Sequence, residues 1–92
     1  MKFEWNEEKN RLNIEKHKLS FETALHVFED PNYIEIYDFE HSTYEDRYIA
    51  IGLVGEVLFV VFTERKDYIR IISARLATAM ERRLYYDQDL YS

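Results

Sequence analysis

The stretch that decides the fold is Arg47–Leu76, RYIAIGLVGEVLFVVFTERKDYIRIISARL. Its apolar residues recur with a period of two, which is the period of a strand and not of a helix. Arg47–Leu53 places Arg47, Ile49, Ile51 and Leu53 on one face, and Gly55 marks a short turn. Val57–Thr63 (VLFVVFT) is apolar on both faces, so it is predicted to be a central strand covered from both sides. Lys66-Asp67 reads as a tight turn. Tyr68–Leu76 follows as another strand, with Ile69, Ile71, Ser73 and Arg75 on one face and Arg70, Ile72 and Ala74 on the other. Connections this short make the strands an antiparallel meander.

Upstream, Tyr33–Phe39 alternates and reads as the first strand of this run, followed by a polar loop over Glu40–Asp46. Asp30-Pro31 stops the segment before it, because a residue preceding proline avoids the helical region. In that segment Ser20 is placed as an N-cap, and Phe21, Ala24, Leu25 and Phe28 follow at helical spacing. Earlier still, KFEW alternates like a short strand. Asn6 then caps a helix that runs to about Lys18, with Glu7 and Glu8 in its first turn and Leu12 and Leu19 as its apolar anchors. Downstream, Thr78-x-x-Glu81 has the spacing of a capping box and opens a last helix. Met80 and Leu84 are its expected anchors, while Tyr85, Tyr86 and Tyr91 either pack or lie exposed. The expected order is β-α-α-β-β-β-β-α, an α+β fold with helices packed on a mostly antiparallel sheet.

Composition narrows the function. The chain has 92 residues, enough for one domain spanning 1–92 with a small core. It is 47% apolar with only two glycines and one proline, which excludes a disordered segment. With no cysteine there is no disulfide framework and no thiolate metal site, and the three histidines are scattered without ligand spacing. No cofactor is expected, and the absence of a phosphate-cradling glycine loop argues against nucleoside-triphosphate chemistry. No apolar run approaches the ~20 residues of a membrane helix. The charged start MKFEWNEEKN shows no secretory signal, so a cytoplasmic location is expected.

Charge is unevenly placed. Residues 1–46 hold five Lys/Arg against twelve Asp/Glu, a net of −7, whereas residues 47–92 hold seven against six, a net of +1. Six of those seven basic residues fall in Thr63–Arg83, and all but Lys66 are arginines. The planar guanidinium matches phosphate, so arginines repeated on rigid elements point to an oxyanion or RNA-backbone site. The blander alternative for each is a solvated charge or an ion pair. The overall charge of −6 opposes tight nonspecific binding of nucleic acid, which depends on neutralising phosphates.

An ordered set of motifs runs along nearly the whole chain. It comprises Phe3-Glu4-Trp5, Lys9-x-x-x-Asn13, Lys16-His17, Ser20-Phe21-Glu22, Phe28-x-Asp30-Pro31, Glu45-x-Arg47, Thr63-Glu64-Arg65, Arg70–Arg75 (RIISAR) and Glu81-Arg82. From about Phe3 to Tyr86 the sequence resembles the BrnT toxins of type II toxin–antitoxin pairs. The resemblance implies a RelE-like fold, metal-independent ribonuclease activity and neutralisation by a cognate BrnA-like antitoxin. Such an antitoxin binds DNA and represses its own operon, in a possible two-plus-two assembly.

Metal-free RNA cleavage needs a base for the 2′-hydroxyl, an acid for the leaving 5′-oxygen and cations for the charged transition state. His17 and Glu64 are the candidate proton carriers. Arg65 and Arg75 are the first candidates for phosphate contact at the reacting group, with Lys16, Arg47, Arg70 and Arg82 as further substrate-binding cations. Each has a structural alternative: a helix C-terminal cap for His17, and an Arg–Glu network with Glu64 or Glu81 for the arginines. Glu45 and Arg47 are either a functional pair or a salt bridge. His26 reads as structural and His41 as a loop residue, while Tyr48, Tyr68 and Tyr85 are candidate stacking or core residues. Ser73 has no histidine at triad spacing. The competing function is a catalytically weak or inactive RelE-like binding module that acts as antitoxin partner and co-repressor.

Overall fold

The Arg47–Leu76 run folds as three consecutive antiparallel strands in the computed structural model, which describes residues 1–88. They are β3 (Tyr48–Val54), β4 (Glu56–Arg65) and β5 (Tyr68–Leu76). Ahead of them come β1 (Lys2–Glu4), α1 (Glu7–His17), α2 (Phe21–Ala24) and β2 (Ile34–Tyr37), and α3 (Ala79–Asp87) closes the described chain. The sheet is five-stranded and mixed, in the order β1-β5-β4-β3-β2, with β1 parallel to β5 and all other pairs antiparallel. β4 is the middle strand. Gly55 makes the β3–β4 turn at φ +71°, and Lys66 takes φ 51° at the β4–β5 turn. No described helix is long and apolar enough to cross a membrane.

One sheet face carries the main core. Leu58, Val60 and Phe62 of β4, Ala50 of β3 and Ile69, Ile71 and Ala74 of β5 pack there against Phe21, Ala24 and Val27. Those last three are fully buried and spaced by three, not by the three and four of an α-helix. After a single turn, α2 tightens into a 3-10 segment, Leu25–Glu29, whose period of three aligns that row. Gly52 lets the segment approach β3, since a Cβ there would meet Val27 Cγ1 at 2.8 Å. On the other face a smaller cluster joins Ile51, Val57, Ala77 and Tyr85 under α3.

The helix anchors differ from those expected. Leu12 is half exposed, and the buried residues of α1 are Asn10 and Asn13. Asn10 accepts from Phe21 N and donates to Glu22, both at 2.8 Å, which ties α1 to α2. Asn13 donates to Ala74 O at 2.8 Å and accepts from Ala74 N at 3.2 Å. β1 pairs only as far as Arg70, so beyond it Asn13 supplies the donor and acceptor that a further strand residue would have supplied. In α3, Met80 and Leu84 are exposed and Tyr85 is buried. The Tyr85 hydroxyl donates to Asp30 Oδ2 at 2.5 Å. Tyr91 lies outside the described residues.

Asp30 is therefore a hub. It also accepts from Leu53 N at 2.8 Å and Asn32 N at 2.9 Å, joining α3, β3 and its own turn. Burial pushes its carboxyl up, but the hydrogen bonds from Tyr85, Leu53 and Asn32 together outweigh burial and hold it below the usual carboxylate range.

Two outcomes follow. Asn13→Ala leaves a buried peptide group of Ala74 without partners, so it should destabilise the chain by about 1–3 kcal/mol in denaturant titration. An unchanged midpoint would contradict this. For Asp30, a folded pKa below the unfolded one gives stability that is full above the ordinary carboxylate range and lost as pH falls through the folded value. Melting temperature measured against pH should thus show an acid limb that is shallower in Asp30→Asn, with the two proteins converging at low pH. Parallel curves would show that the charge on Asp30 contributes nothing.

Candidate active site

The apolar floor of the site exists because α3 covers only part of its sheet face. Across β3, β4 and β5 the register aligns Ile51, Phe59 and Arg75 in one row and Ile49, Val61 and Ser73 in the next. The Tyr85 end of α3 covers Ile51. The Ile49–Val61–Ser73 row floors an open groove of about 460 Å³. Arg75 stands on one side. Asp38, Glu40, His41 and Arg47, from the loop between β2 and β3, line the other.

Arg75 reaches this face through an irregularity in β5. Strict alternation would put Ser73 and Arg75 with Ile69 and Ile71. Instead Val61 pairs with Ser73 and Phe62 with Ile71, leaving Ile72 as an extra residue. The bulge reverses the sides beyond it. Ala74 joins Ile69 and Ile71 in the main core, while Ser73 and Arg75 line the groove.

Arg75 is held on three sides. It pairs with Glu81 through two hydrogen bonds of 2.8 and 3.0 Å and donates to Leu76 O at 3.1 Å. Its guanidinium lies over the Phe59 ring, 3.9 Å from the centroid. The hydrogen bond from Arg75 is the main influence holding the Glu81 carboxyl below its usual range, against the upward push of burial. Glu81 also accepts from Thr78 N at 2.8 Å and completes the capping box of α3.

The opposite wall is a loop closed on itself. Asp38 N donates to Arg47 O at 2.8 Å, and the Ser42 hydroxyl bridges Asp38 O and Arg47 N at 2.6 and 2.9 Å. Within it, His41 Nδ1 sits 3.0 Å from the Asp38 carboxylate. A carboxylate only accepts, so Nδ1 carries the proton and Nε2 is the accepting nitrogen of the neutral ring. Asp38 is mostly buried and His41 mostly exposed, so the ring is oriented from beneath and open to the groove. The Arg47 guanidinium has no hydrogen-bond or ion-pair partner among the described residues. This arrangement offers two guanidinium groups and an oriented imidazole over an apolar floor.

The other expected site residues stand elsewhere. Glu64 follows Phe62 on the main-core side; burial first raises the Tyr33 and Tyr48 hydroxyls, then Glu35 and Asp46 respectively, and the Glu64 charge adds to both. It is thus across the sheet from Arg75. Lys16 and His17 end α1, outside the groove lining, and their side chains make no hydrogen bond or ion pair among the described residues. Arg65 is not a neighbour of Arg75. It pairs with Tyr68 at the turn, six residues along β4 from the Phe59 row, or roughly 20 Å at strand rise. It contacts Glu45 at 3.2 Å, so Glu45 pairs with Arg65 and not with Arg47. Arg70 is paired with Glu4 at 3.3 Å, and Arg82 donates to Ala77 O at 3.0 Å. Of the expected residues, the groove collects Arg47 and Arg75. It adds His41 and Asp38, whose D-x-x-H spacing was the one visible signal. Among the described residues, no three His, Asp or Glu side chains are grouped as metal ligands.

No individual curated protein matches the chain. One family profile, described as the ribonuclease toxin BrnT of type II toxin–antitoxin systems, matches residues 5–81. That span runs from Trp5 through Glu81 and takes in both walls of the groove. The chain belongs to the BrnT family of ribonuclease toxins.

Proposed function

We propose that the open groove is the site of RNA cleavage, and that the chain, as a single domain over 1–92, is an endoribonuclease toxin whose activity blocks translation. The observation that carries this reading is the placement of Arg75 and Arg47 with the Asp38–His41 pair around one groove. Arg75 and Arg47 hold the scissile phosphate. His41 Nε2 takes the proton of the 2′-hydroxyl, and Asp38 steadies the imidazolium that forms. The 2′-oxygen bonds to phosphorus as the bond to the 5′-oxygen breaks, and water in the open groove gives the leaving 5′-oxygen its proton; the products are a 2′,3′-cyclic phosphate and a 5′-hydroxyl, and the His41 imidazolium then returns its proton to the hydroxide left behind. The step uses no metal, and the arginines stabilise the extra negative charge.

The wider setting belongs to the same proposal. A RelE-like fold is supported by a sheet with α2 and the 3-10 segment packed on one face and α3 beside the groove on the other. A cognate BrnA-like, DNA-binding antitoxin neutralises the toxin by covering the groove, in a two-plus-two complex in the cytoplasm. A second reading, a weakly catalytic binding partner and co-repressor, is favoured by one observation. Arg65, Arg70 and Arg75 are each paired with a glutamate, which reduces the charge offered to RNA.

Expression without antitoxin separates the two. Induced wild type should arrest growth with loss of intact RNA. Arg75→Ala and His41→Ala should each lower cleavage by about a hundredfold or more, the scale of a lost acid–base or charge-stabilising group. The His17→Ala/Glu64→Ala double variant should stay toxic. Purified wild type should cleave RNA in EDTA. Normal growth from folded wild type would favour the binding partner, and full toxicity of the Arg75 and His41 variants would place the site elsewhere.

A further inference from the structure

Arginine has five N–H donors, two on each Nη and one on Nε. In Arg75, Nη1 donates to Leu76 O and Glu81 Oε1, and Nη2 donates to Glu81 Oε2. Glu81 thus occupies the end of the guanidinium, the edge that spans both Nη atoms. Nε–H and the second Nη2–H have no partner among the described residues. These two lie side by side on the neighbouring edge, which is the other geometry in which a guanidinium grips two oxygens at once. Phe59 covers a face of the same group and limits its tilt.

We propose that Glu81 is a positioning residue, which grips the end of Arg75 so that its side edge stands ready as a two-donor seat for an RNA phosphate. The proposal rests on the reading that this groove cleaves RNA. Glu81 is suited to the task because its own carboxylate is fixed twice. Oε1 accepts from both Arg75 and Thr78 N, so the first turn of α3 sets the direction of the arginine. A carboxylate near the seat also repels phosphate. Glu81 therefore favours orientation at some expense of ground-state attraction, and its loss should affect turnover and binding in opposite directions.

The test uses the purified chain and a mixed-sequence single-stranded RNA oligonucleotide. Glu81→Gln keeps an acceptor for Thr78 N, because glutamine also serves in a capping box, but it loses the charge-assisted grip. It should lower kcat by about ten- to a hundredfold, the scale of a misplaced reacting group, while KM stays level or falls. Thr78→Ala weakens the cap without touching Arg75, so it should lower Tm and keep kcat. Under single-turnover conditions with excess protein, adding Glu81→Gln to Arg75→Ala should bring no further loss. Wild-type kcat in Glu81→Gln, or an equal kcat loss in Thr78→Ala, would overturn the positioning role while an inactive Arg75→Ala preserved the groove. A raised KM with kcat unchanged would also overturn it. Full activity of Arg75→Ala would remove both the role and the groove reading.

Discussion

One extra residue in β5 governs which chemistry the sheet can display. Without the bulge at Ile72, Ser73 and Arg75 would share a side with Ile69 and Ile71 and enter the main core, where a guanidinium would have to be paired or would unfold the packing. With it, the strand keeps an apolar inner row of Ile69, Ile71 and Ala74 and still turns its arginine outward. The bulge lies opposite the Val61–Phe62 step of β4, the middle strand, which is paired on both sides. The groove floor, the pairing with Glu81 and the stacking on Phe59 all depend on this choice of side.

The helices are attached by polar groups as much as by apolar ones. α1 has almost no apolar face. It is seated by Asn10 and Asn13, each of which satisfies a backbone group of another element with near-ideal geometry. α3 is nine residues long and shows its methionine and leucine to solvent, and it is held by Tyr85 reaching Asp30 and by Glu81 reaching Arg75. Such bonds are directional. They fix the direction of each helix, including α3 beside the Arg75 wall of the groove.

Much of this was legible from residue patterns. Period two over Arg47–Leu76 identified three strands and picked out the doubly apolar one as central. Asn6, Ser20 and Thr78 marked helix starts, and each accepts the N–H expected of a cap. The misses share a cause, which is distance along the chain. Asn13 finds Ala74 61 residues away and Tyr85 finds Asp30 55 residues away, so apolar spacing pointed instead to Leu12, Met80 and Leu84. The bulge is invisible because RIISAR alternates well in either phase. His41 reads in the sequence as a loop residue, because a short loop gives no periodicity from which to orient a ring, although Asp38 stands three residues before it. Arg65 ends the central strand at a turn, which in the sequence suggests a neighbour for Arg75; the hairpin register instead puts the two at opposite ends of the strand pair.

The bond between Asn13 and Ala74 has a bearing on life at high concentration. β5 would otherwise end one side of the sheet as a bare ribbon beyond Arg70, open to the backbone of another molecule. A single amide side chain occupies both the N–H and the C=O at the middle of that ribbon. The opposite border is β2, only four residues long. A chain accumulating faster than its partner therefore offers its copies little template for edge-to-edge stacking into fibres.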